Sequence, residues 1–103
     1  MAWIILLAAG LFEVVWAVGL KAANGRPVIL AVTIAAMIAS VALLYLALRD
    51  LPLGTAYAIW TGIGAVGTVL VGILWFGESA DPLRVACIAL IFVGIAGLKW
   101  ATP

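Results

Sequence analysis

Residues 1–21 read MAWIILLAAGLFEVVWAVGLK. From Met1 to Leu20 the only charged side chain is Glu13, and every other residue is apolar or glycine. A helix needs about 20 such residues to cross the ~30 Å hydrocarbon core of a bilayer. The stretch has no basic segment at its start and no clear small-residue cleavage site, and it is too long for an ordinary signal-peptide core. It therefore reads as a retained membrane span with a carboxylate at its centre.

The rest of the chain supports that solvent assignment. Of 103 residues, 69% are hydrophobic and only 9% are charged, against roughly 25% charged for a soluble domain. Cys87 is the single cysteine and histidine is absent. Intrachain disulfides, thiolate clusters, histidine metal sites and Ser-His-Asp catalysis are excluded. No nucleophile–base pair can be assembled from spacing, so no enzyme, metal or cofactor is expected. A net charge of +1 offers no basic patch for nucleic acid.

Turn signals divide the chain into four spans: about 2–20, 28–48, 53–76 and 83–100. Asn24-Gly25 makes the first turn, and Pro27 suits the first turn of the next helix. Arg49-Asp50-Leu51-Pro52 breaks the second run, with Asp50 or Leu51 expected to cap and Pro52 to lie just inside helix three. Asp81-Pro82 is an N-cap and first-turn pair for helix four. The expectation is a single all-α membrane domain, a bundle of four transmembrane helices. Such a bundle encloses little room, so a solute pathway calls for an oligomer. Trp3, Trp75 and Trp100 fall near span ends, where aromatics anchor at the interface. Lys21, Arg26 and Arg84 lie on one side, Arg49 and Lys99 on the other. This near-balance of positive charge leaves orientation undetermined and permits two copies to insert in opposite senses and pair.

A central charge costs about 2.5–3.5 kcal/mol on insertion scales. If Glu13 only bonded a neighbouring helix, the return would average ~0.6 kcal/mol. Desolvation disfavours its ionised form, so it suits trading a proton for a cation, the least chemistry a proton-coupled exporter requires. Helical spacing puts Gly10, Glu13, Trp16 and Ala17 on one stripe, with Tyr57, Trp60, Gly64, Gly67 and Val71 on another. Gly10 leaves space one turn before the carboxylate and Trp16 an aromatic wall one turn after it. A carboxylate accepts paired N–H donors and aromatic faces attract cations. Hydroxyls such as Ser40 can orient the carboxylate. A small planar cation fits that set, although Trp16 and Trp60 also suit ordinary packing. For an isolated Ser40, a bond to its own helix is the commoner outcome. Gly62, Gly64 and Gly67 permit close approach or bending of helix three, and Gly94 with Gly97 forms a small-residue contact on helix four.

FEVVWAVGLK at residues 12–21 and PLGTAYAIWTGIGAVG at residues 52–67 resemble the small multidrug resistance family, in its guanidinium-exporting branch, and the likeness covers the full length. The resemblance implies an antiparallel, dual-topology homodimer in a bacterial inner membrane. By alternating access it would exchange protons for guanidinium and small substituted guanidinium ions. In that pattern Glu13 of both subunits binds proton or cation in competition. Gly10, Trp16, Ser40, Tyr57 and Trp60 match the site or its hydrogen-bond network, the helix-three glycines match a bending region, and helix four matches the main dimer contact. Gly10 and Trp16 point to the guanidinium branch, since drug-exporting relatives carry a bulkier aliphatic and a small residue there. The alternative is a promiscuous exporter of quaternary ammonium and aromatic cations. The alanine-rich helix two matches a lipid-facing portal that tunes substrate breadth. Lys99 matches a lysine common in the branch, with no role assignable from its position.

Overall fold

The first run becomes helix α1 (Ala2–Ala23), one turn longer than the apolar pattern predicts. Its end is set by Asn24 (φ 43°) and Gly25 (φ 79°), residues that tolerate the left-handed conformation a helix stop requires. Arg26 then folds back, donating from Nη2 to the carbonyl of Ala22 at 2.6 Å and from Nε to that of Ala23 at 3.3 Å. Those bonds satisfy carbonyls that the helix leaves free. They explain why α1 runs past Leu20 to include Lys21.

The computed structural model describes residues 1–102. Beyond α1 it holds α2 (Pro27–Ala47), α3 (Leu53–Trp75) and α4 (Pro82–Ala101). All four are long and apolar enough to cross a membrane, and no strand occurs among the described residues. Pro27 and Pro82 each open a helix, where a missing N–H costs little. Asp81 occupies the N-cap position of α4 without a side-chain capping bond. The cap of α3 corrects the sequence expectation. Pro52 itself is the N-cap, in an extended conformation (φ −60°, ψ 142°), so it lies outside the helix and neither Asp50 nor Leu51 caps it.

Helix α1 is central, packing along both α2 and α3, whereas α2 and α3 meet only slightly and α4 packs against α3 alone. The buried apolar cluster comprises Leu6, Ala9, Leu44, Ala47, Ala56 and Ile59. It joins the first half of α1, the second half of α2 and the start of α3. Measured along its principal axes the molecule is 43 × 34 × 17 Å. Since a helix with side chains is about 10–12 Å across, the bundle is a slab under two helices thick. Helix α4 has no buried residue, and Phe92, Val93 and Trp100 are among its exposed side chains.

Candidate functional site

Glu13 lies midway along α1, half-buried, with its carboxylate against the backbone of Gly64 on α3. A Cβ built on Gly64 would stand 2.7 Å from both Oε1 and Oε2 of Glu13. No other residue type leaves the carboxylate where it is. Sequence reading assigned Gly64 to helix packing or bending. The structure runs α3 unbroken through Gly62, Gly64 and Gly67 and puts Gly64 in direct contact with Glu13. Gly67 admits Val14 of α1, and Gly62 meets Ile95 of α4.

Glu13 Oε2 is buried with no hydrogen-bond partner, and so is Nε1 of Trp16 one turn along. An unpaired acceptor and an unpaired donor thus stand on one face of one helix. Buried polar atoms are nearly always paired, and in a bilayer core an unpaired one costs several kcal/mol.

Ser40 departs from the two partners its position suggests, and bonds instead to Trp60, with which the family resemblance groups it. Its hydroxyl donates neither to its own helix nor to Glu13, but to the carbonyl of Ala9 on α1 at 2.7 Å. It also accepts from Nε1 of Trp60 at 2.9 Å. This relay ties α2, α1 and α3 together one turn before Glu13. Tyr57 leans on Trp60, ring centroids 5.6 Å apart and planes tilted by 51°, and is itself exposed. Trp60 is therefore held from two sides.

Gly10 needs a second correction. The space predicted beside it is filled by Ile63 of α3, since a Cβ on Gly10 would lie 2.7 Å from Ile63 Cγ2. Gly10 lets α3 come close and leaves no hole. The expected dimer-contact glycines, Gly94 and Gly97, have open space beyond them. Ala9 and Ile63 complete the geometry. Nothing in the sequence distinguishes either from other apolar positions.

The model for the Small Multidrug Resistance protein family matches residues 1–91. The chain belongs to the small multidrug resistance family. Among its curated relatives are proteins named guanidinium exporter from Escherichia coli strain K12, Citrobacter freundii and Salmonella typhimurium. Each is 59% identical over 104 residues, covering 99% of both chains. This small multidrug resistance protein is thus a member of a transporter family rather than an enzyme, with four spanning helices in a bacterial inner membrane.

Proposed function

We propose that this protein exports guanidinium in exchange for protons, as an antiparallel homodimer in which two Glu13 carboxylates hold either ligand. One observation carries the reading: Oε2 of Glu13 is buried in mid-span without a hydrogen-bond donor. Guanidinium is planar with several N–H donors, and a carboxylate accepts two of them in parallel. The indole faces of Trp16 and Trp60 add cation–π attraction. The relatives' names favour guanidinium over bulkier cations.

The slab form of one chain supports a pair. Glu13 lies on a bundle too thin to enclose a solute, and α4 leaves an apolar face free. Cation and proton need the same oxygens, so protonation from outside expels guanidinium there, and guanidinium arriving from inside displaces the proton. Alternating access then couples the two flows. The test is guanidinium-driven proton movement in vesicles containing only this chain. Wild-type protein should exchange the two ions with little response to large aromatic or quaternary ammonium cations. Glu13→Gln should remain dimeric and lose exchange. Wild-type exchange by that variant would overturn the reading, and a broad cation profile would favour the multidrug alternative.

A further inference from the structure

A groove of about 330 Å³ opens between the first two turns of α1, the first half of α3 and the last two turns of α4. Trp3, Leu7, Ile63, Ile95 and Lys99 are among the residues that line it, with Trp3 and Lys99 nearest the helix ends. The ammonium of Lys99 lies 5.0 Å from the ring centroid of Trp3, within cation–π range. Among the described residues no carboxylate pairs with Lys99, since the one ion pair, Glu78 with Arg84, lies at the opposite end of α4.

These features share one depth. Tryptophan favours the level of the lipid head groups, and a lysine near a helix end extends its ammonium to the same level. From Trp3 to Leu7, and from Lys99 back to Ile95, is four residues, about 6 Å along the helix axes. The groove therefore descends from the head-group layer into the acyl layer. It carries a positive charge above and only apolar surface below. A guanidinium ion would find no acceptor there and a repelling charge at the rim, so this is not a second substrate site. Basic pockets between spanning helices accept anionic lipid head groups.

We propose that the groove binds an anionic phospholipid, its phosphate on Lys99 and the upper part of one acyl chain between α1, α3 and α4. The lipid would reinforce the contact between the central helix α1 and α4, whose backbone comes close only to α3. The proposal stands apart from the guanidinium reading. It gives Lys99 a function unrelated to Glu13.

Native mass spectrometry of the delipidated full chain tests it, with phosphatidylglycerol and phosphatidylcholine of matched acyl chains. Wild-type protein should prefer phosphatidylglycerol. Lys99→Gln should lose roughly fivefold of that preference, the ~1 kcal/mol that one lysine contributes near an anionic surface, and Lys99→Arg should keep it. Ala96→Phe, which fills the groove, should weaken both lipids. An unchanged preference in Lys99→Gln, or unchanged lipid binding in Ala96→Phe, would overturn the proposal. Equilibrium sedimentation of Ala96→Phe tests for a second copy in the groove. A dimer fraction that stays unchanged while lipid binding falls supports the lipid; a dimer fraction that falls with it assigns the groove to a second copy and overturns the proposal.

Discussion

A methyl group on Gly64 would sit 2.7 Å from both carboxylate oxygens of Glu13, so Gly64→Ala must push the carboxylate away from its resting place. Misplacing a reacting group by about 1 Å can cost ~10²-fold in rate, and a loss of roughly tenfold to a hundredfold in guanidinium exchange is expected. The double variant Gly64→Ala/Glu13→Asp tests position against mere destabilisation, because the shorter side chain withdraws from the added methyl. Its exchange rate should exceed the product of the two single effects, a non-additivity that contact between the residues requires. Ser40→Ala should act differently. It frees the indole N–H of Trp60 and one bond to the Ala9 carbonyl. At ~0.6 kcal/mol per interhelical bond in a membrane, the loss is about 1 kcal/mol, measurable by unfolding in detergent. Exchange should fall less than in Gly64→Ala. Glu13 and its aromatic neighbours were legible in the sequence because a charge in an apolar span stands out. The roles of Gly64 and Ile63 were not, since both depend on the facing of two helices. A stripe pattern shows which residues share a face, and nothing about what that face meets.

Helices were legible for a different reason: each span must satisfy its own backbone in lipid, so apolar length and turn residues nearly suffice. The ends proved less so. Helix α1 gains a turn from the folded-back Arg26 side chain, which no hydropathy pattern encodes. Similar local chemistry closes α3. Gly77 takes φ 68°, and the N–H of Glu78 bonds the Gly72 carbonyl at 3.1 Å. The Glu78 carboxylate then pairs with Arg84 at 2.7 Å. Gly77→Ala should destabilise the chain by about 1 kcal/mol, the usual cost of a left-handed alanine. Glu78→Gln should cost less, because the pair is exposed and such pairs contribute about 0–1 kcal/mol. Thermal unfolding of both variants in one detergent would order them, and the reverse order would mean the ion pair, not the glycine, sets the turn. Helix α4 offers a sharper contrast. Gly62 meets Ile95 within the chain, whereas Gly94 and Gly97 face open space. Gly94→Leu should therefore leave the single-chain fold intact and lower the dimer fraction severalfold in equilibrium sedimentation. An unchanged dimer would move the contact elsewhere on the slab.

At the scale of the whole molecule, the arrangement leaves two things unfinished: a helix with no buried residue and a mid-span oxygen with no donor. A second copy on the open face would answer the first and enclose the second, joining assembly to ligand chemistry. If cation and proton then compete for the same carboxylates, binding is linked to protons with a fixed sign. Where Glu13 is protonated before binding, guanidinium must expel the proton, so apparent affinity weakens as pH falls and each binding event acidifies a weakly buffered solution. Where the site is already ionised, binding releases nothing and affinity is flat with pH. Calorimetry in two buffers of different ionisation enthalpy separates the regimes without any transport step. The expected result is proton release in acid that fades as pH rises, in a dimer-dependent manner, and its absence in Glu13→Gln. Binding that is pH-independent throughout would break the competition on which exchange depends. Guanidinium flux would then be a channel's, driven by its own concentration gradient and the voltage and indifferent to a proton gradient.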